Sequence, residues 1–253
     1  MRREVVVTAL PGKGPRVLLL PGLGARGRGF AALAERLGSW SSPSWVDYPE
    51  SRWAAVGPDR LADEVFACAG PVDLVVASSY GGLVAAHLVH SGATRAVAFV
   101  GSFLRPSHLG WRQGLLRRMG EIALWGRPGV LSAMVASAGW VPLEQACDVV
   151  PTTLIERDTV RFRVGALTSE SLAPPLVDVP GLRCLVIQGG RDLLVPPSTV
   201  PRLMADLPPG TELVTLPDAG HVPYFSHPDE LSRLLERWHS TFALSSPPAA
   251  LPT

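Results

Sequence analysis

The amino-acid sequence predicts an α/β protein whose central sheet is mostly parallel and covered by helices on both faces. Three observations carry that expectation. Short apolar runs alternate with segments of helical period along most of the chain, the pattern that crossover connections produce. Those runs lack polar alternation, as strands buried on both faces do. One of them, Val72–Ala77, ends at Ser78-Ser79-Tyr80-Gly81-Gly82, and an alanine-rich helical pattern begins at once.

Taken in order, residues 4–10 read as a strand, 11–15 as a Pro/Gly turn and 16–20 as a second, fully buried strand. A glycine-rich stretch, 21–29, precedes Phe30, Leu33, Ala34 and Leu37, which share one helical face that stops at Gly38. A short strand is expected at 44–48, a helix at 61–69 closed by Gly70, the strand 72–77, a helix at 80–90 and a strand at 95–101. From Ser102 to about Pro180 no strand is evident; Trp111, Leu115, Met119 and Ile122 recur at helical spacing, which predicts a helical cap inserted after the strand ending near Gly101. Alternation resumes with strand 182–188, a helix near 199–205, strand 212–216 and a final helix at 229–242. The expected organisation is a core of residues 1–101 and 181–243, a helical lid of 102–180, and a frayed tail, 244–253, of Pro, Ala and Ser.

Composition narrows the function. With 253 residues, 47% of them apolar and 18% charged, the chain can bury a sizeable core. A formal charge of +1 argues against a general binder of nucleic acid or of membrane surfaces, which needs surplus cations on one face. No run approaches the roughly 18 apolar residues of a membrane span, and the opening residues lack the apolar stretch of a signal peptide. The three cysteines, Cys68, Cys147 and Cys184, are far apart, which predicts free thiols in a reducing cytoplasm and no zinc site. His87 and His90 share a helix without a carboxylate or cysteine beside them, so no metal ligands are expected; His108, His227 and His239 read as structural.

The serine turn carries the chemistry. A sharp strand-to-helix turn holds its serine in an unfavourable backbone conformation, and needs small residues two before and two after it. Ala77 and Gly81 satisfy this around Ser79, whereas Ser78 would be flanked by Val76 and Tyr80. A serine hydroxyl needs a base, and the base needs an anion to hold its tautomer. Past the next strands lie Gly189-Gly190-Arg191-Asp192 and Asp218-Ala219-Gly220-His221, giving the chain order Ser79, Asp192, His221. Asp218 is the rival acid, but it stands close to His221 in the same loop.

With these pieces in place the chain resembles the α/β-hydrolase superfamily from Val17 to about Trp238, on Leu20-Pro21-Gly22-Leu23-Gly24, Ala77–Gly81, Gly189–Asp192 and Gly220-His221. The segment Ala219–Pro228 is most similar to the carboxylesterase branch that includes the pimeloyl-carrier-protein methyl ester esterases. The resemblance implies an α/β-hydrolase fold and ester cleavage through an acyl-enzyme on Ser79. It also implies an oxyanion hole of the Leu23 and Tyr80 backbone N–H groups and no metal or organic cofactor. Gly22, Trp111, Met119 and Val222 are expected to line the substrate pocket. The chain departs from the family pattern at Ala77, where Gly is usual, at Pro21, where many members have His, and at Glu50-Ser51-Arg52-Trp53.

Other readings stay open at this point. The same three residues serve thioesterases and acyltransferases, and a binder can retain the fold without catalysis. Gly22-Leu23-Gly24-Ala25-Arg26-Gly27, with Asp47 following, also matches a nicotinamide-dinucleotide fingerprint. Within the insertion, Arg105, Arg112, Arg117, Arg118 and Arg127 face only one acid, Glu121. That imbalance predicts a cationic helical face, suited to solvent or to an acidic acyl carrier protein presenting an acyl ester.

Overall fold

A computed structural model describes residues 4–23, 26–48, 57–110, 114, 163 and 173–243. Its strands are β1 (Val6–Ala9), β2 (Arg16–Leu20), β3 (Ser42–Asp47), β4 (Leu74–Ser78), β5 (Ala96–Val100), β6 (Arg183–Gly189) and β7 (Glu212–Leu216). They form one seven-stranded sheet in the order β1-β3-β2-β4-β5-β6-β7. Only the β1–β3 pair is antiparallel; the other pairs are parallel.

The described helices are α1 (Ala31–Leu37), α2 (Pro58–Ala69), α3 (Gly81–His90), α4 (Val200–Ala205), α5 (Pro223–Ser226) and α6 (Pro228–Ala243). Alternate strand residues feed two apolar clusters, one on each face. Leu18, Leu20, Val75, Ala77, Val97, Phe99 and Val186 meet α2 and α3 on one side. Val17, Leu19, Leu74, Val76, Ala98, Leu185 and Ile187 meet α1 and α6 on the other. A strand buried on both faces has no polar side, which is why these runs are continuously apolar. The edge strand β7 is different: it is largely exposed, with Leu213 open to solvent.

Several boundaries differ from expectation for identifiable reasons. β3 begins at Ser42 and accepts Pro43 near its start, where a missing N–H is tolerated. α2 starts three residues before Leu61, because Pro58 suits the first helical position and Asp59 favours the first turn. The short 3₁₀ turns Gly27–Phe30 and Pro106–Leu109 and the helix Pro223–Ser226 carry no long-range hydrophobic period, so the sequence left them unmarked. Most of the expected cap, including Trp111 and Met119, lies outside the described residues.

The register brings the strand ends to one edge. Leu20 pairs with Ala77, Ser78 with Val100, Val100 with Ile187, and Gly189 with Leu216. The loops beginning at Pro21, Ser79, Gly101, Gly190 and Pro217 therefore leave the sheet side by side.

Candidate active site

Ser79 follows β4 directly and has φ +51°, the only positive φ at a non-glycine position among the described residues. L-residues rarely adopt this left-handed conformation, and it turns the chain sharply between β4 and α3. The turn is held on all sides. The Ser79 N–H donates to the Val100 carbonyl at 3.1 Å, and the Ser79 carbonyl accepts from the Gly82 N–H at 3.0 Å and from the Ser102 hydroxyl at 2.6 Å. Gly81 leaves no room for a side chain: a Cβ there would stand 2.7 Å from the Leu20 carbonyl oxygen. Ala77 is fully buried in the strand, and Ser78, also buried, has ordinary strand geometry.

Asp192 and His221 come from the loops after β6 and β7. His221 Nδ1 lies 2.8 Å from Asp192 Oδ2. An ionised carboxylate only accepts, so Nδ1 carries the proton and Nε2 is left as an acceptor. Asp192 is 1% exposed, and its other oxygen accepts from the backbone N–H groups of Leu194 (2.9 Å) and Val195 (2.8 Å). Both carboxylate oxygens are thus fixed. Gln188, the polar exception at the end of an apolar strand, braces the same loop by donating to the Gly189 and Val195 carbonyls. The rival Asp218 is largely exposed and pairs with Arg191 at 2.5 Å.

The pair and the serine flank the end of β5. A Cβ on Gly101 (φ +51°) would sit 3.0 Å from Asp192 Oδ2 and 3.3 Å from His221 Nδ1, so the Asp–His pair packs directly on this glycine. Among the described residues no hydrogen bond joins Ser79 Oγ to His221; such bonds are commonly long without substrate and tighten in the reacting complex.

On the other side of the serine, a Cβ on Gly22 would be 3.2 Å from Ser79 Cβ. The Leu23 and Tyr80 N–H groups find no acceptor among the described residues. Val222 is buried in the apolar cluster with Phe30, Leu216 and Tyr224. Arg105, one of the five insertion arginines, is paired with Asp206 at 2.6 Å, while Arg112, Arg117, Arg118 and Arg127 lie outside the described residues.

Two residues that the sequence did not mark emerge here. Ser102 follows Gly101 and supports the serine turn. Arg163 is 2% exposed; one Nη donates to the Leu23 carbonyl at 3.2 Å, and its guanidinium lies 5.1 Å from the Tyr48 ring centroid and 5.9 Å from that of Tyr80. Its setting, Val160-Arg161-Phe162-Arg163-Val164, offered nothing to separate it from Arg161. Burial pushes the Tyr48 phenol far up and the Tyr80 phenol to about 12 despite the cation, so both are neutral.

The dinucleotide fingerprint has a structural explanation. Asp47 is buried and accepts the Gly27 N–H at 2.9 Å, and Gly27 is required because a Cβ would collide with the Trp45 ring. The carboxylate that would read a ribose instead ties β3 to the loop after β2. Among the described residues no three His, Cys, Asp or Glu side chains gather as metal ligands, and His90 Nε2 lies 3.1 Å from the Pro175 carbonyl oxygen.

Comparison with known proteins assigns the class. Residues 10–234 match the sequence profile of the alpha/beta hydrolase family, and the chain belongs to that family. Among curated relatives it is similar to a pimeloyl-[acyl-carrier protein] methyl ester esterase of Stenotrophomonas maltophilia, with 29% identity covering 92% of this chain and 95% of the relative. Among solved structures its fold is similar to a thermophilic esterase from Thermogutta terrifontis, with a TM-score of 0.73, 17% identity and coverage of 94% and 93%. An esterase from Exiguobacterium antarcticum gives 0.74, 15% identity and coverage of 93% and 95%.

Proposed function

We propose that the protein is a serine hydrolase that cleaves a carboxylic ester through an acyl-enzyme on Ser79. The observation that carries this reading is the strained Ser79 turn standing at the same sheet edge as the buried Asp192–His221 pair. His221 Nε2 takes the Ser79 proton as Oγ bonds to the substrate carbonyl carbon, and the carbonyl π electrons move onto its oxygen. The Leu23 and Tyr80 N–H groups receive that oxyanion, and one such donor is commonly worth about 2.7–4 kcal/mol of barrier. When the tetrahedral species collapses, the alkoxide leaves with the proton from Nε2. Water then repeats the sequence: Nε2 removes its proton, the acid departs, and Ser79 regains its hydrogen. Asp192 keeps the imidazole in the Nδ1–H tautomer throughout and stabilises the imidazolium.

Residues 102–180 act as a cap that sets acyl specificity, with its Trp111 and Met119 and the loop residue Gly22 as pocket contacts, while Val222 packs in the core beneath. An acyl ester borne by an acidic carrier protein is the substrate form to test beside simple esters. The matching relative is named for such a substrate, and Arg112, Arg117, Arg118 and Arg127 supply positive charge. The free thiols Cys68 and Cys184 suit a reducing compartment, and the cytoplasm is the proposed location.

The test is a chain-length series of p-nitrophenyl esters run beside carrier-protein methyl esters and thioesters. Ester turnover that Ser79→Ala reduces by about 10⁴-fold or more supports the reading. Faster thioester turnover, or acyl transfer to an added alcohol in preference to water, favours a thioesterase or acyltransferase on the same residues. No turnover and no binding of an active-site reagent favours a non-catalytic member of the fold.

A further inference from the structure

We propose that Arg163 is a positioning residue for the oxyanion loop, acting through the Leu23 carbonyl on the direction of the Leu23 N–H. The inference rests on the reading of Leu23 and Tyr80 as oxyanion donors.

Leu23 follows Gly22, a residue type with few backbone limits of its own, and further along the loop the Gly27 N–H is tied to Asp47. A backbone donor stabilises an oxyanion only if its direction is set before charge develops. Arg163 supplies a restraint at Leu23 itself. Its guanidinium holds the Leu23 carbonyl at 3.2 Å, which limits rotation about Leu23 and thereby the direction of that residue's N–H.

The guanidinium itself is fixed by where it lies. It sits against the rings of Tyr48, at the end of β3, and Tyr80, which provides the second donor. Both rings are fully buried, and a planar cation against aromatic faces resists displacement. One side chain, 140 positions from Leu23, thus touches the residues that carry both donors. Lysine could keep the charge but would lose the planar contact with the two rings.

The experiment uses the full chain and p-nitrophenyl butyrate, with rates expressed per site titrated by a fluorophosphonate. Wild-type turnover that Ser79→Ala abolishes is required first; its absence would count against the proposed function and remove the basis of this inference with it. With that established, Arg163→Met is expected to lower kcat about 10- to 100-fold while KM changes less than about threefold. Affinity for a trifluoromethyl ketone, which forms a tetrahedral adduct, should fall by the same factor as kcat/KM. Arg163→Lys should recover part of both losses.

An unchanged kcat per titrated site, or a raised KM at unchanged kcat, would overturn the proposal. So would loss of titratable sites alone, which a merely structural arginine would cause. If Arg163→Met does not fold, Arg163→Lys decides by the same criteria. Failure of both variants to fold overturns the proposal in favour of a packing role.

Discussion

At the scale of single residues the structure spends stability on geometry at Ser79. Its φ of +51° is a conformation glycine adopts without penalty, and a serine held there costs of order 1–3 kcal/mol. Ser79→Gly should therefore melt about 2–4 °C higher than wild type while losing ester turnover; calorimetry and a p-nitrophenyl ester assay check the two halves. Asp192 offers a second separation. In Asp192→Asn the amide oxygen can still accept from Leu194 and Val195, but the amide NH₂ faces His221 Nδ1. That drives the imidazole proton to Nε2, where a base is needed. Turnover at pH 7 should fall about 10³- to 10⁴-fold with the melting temperature changed by only a few degrees. Wild-type rates in this variant would show that the carboxylate does not select the tautomer.

At the scale of elements, one junction ties the two ends of the β5–β6 connection to the core. Arg105 and His108, just after β5, both contact the Asp206 carboxylate at the end of α4, and the returning Leu176 N–H donates to the Asp206 carbonyl at 3.0 Å. His108 Nε2 lies 3.0 Å from the carboxylate, while Nδ1 accepts weakly from the Leu104 N–H at 3.4 Å. That is the neutral imidazole, and protonating Nδ1 would set two donors against each other. Burial accordingly lowers the His108 pKa below its ordinary 6.5, outweighing the attraction of Asp206, and Arg105 and Arg202 lower it further. The unfolded chain then takes up this proton before the folded one does. Stability present above pH 6.5 is lost as the pH falls from there through the lowered folded value. His239, lowered by burial against the attraction of Asp73, acts in the same direction. Urea midpoints between pH 7.5 and 5 should therefore decline in wild type and decline less steeply in His108→Gln. An equal slope in both would remove His108 from the account.

Legibility at this scale followed the source of each signal. Apolar periodicity located the helices and strands of both layers to within a few residues. The expected starts at Ser44 and Leu61 fall short of the observed ones, Ser42 and Pro58, because Pro43 and Pro58 stand inside the first turn or first residues of their elements without adding to the apolar period. The His108 junction carries no motif, since its three side chains are brought together by folding alone.

At the scale of the whole molecule, the sheet order places chemistry from distant parts of the chain on one edge. The positions of Ser79, Asp192 and His221 could be placed from sequence because each follows a strand in a fixed local setting. The contacts of Arg163 and Ser102 could not, because they depend on what the fold sets beside them: the Leu23 carbonyl and the Ser79 carbonyl. Asp47 shows the reverse case. Its spacing from the glycines fits a dinucleotide site, yet the carboxylate is consumed inside the fold by the Gly27 N–H.

The proposed chemistry requires Ser79 to be a nucleophile made reactive by His221. Its most direct test is exposure of the intact protein to a fluorophosphonate, followed by peptide mass analysis. One adduct per chain on Ser79, forming rapidly in wild type and slowed about 10³-fold or more in His221→Ala, is the predicted result. An adduct on Ser78 or elsewhere, or labelling of Ser79 at the same rate without His221, would contradict it.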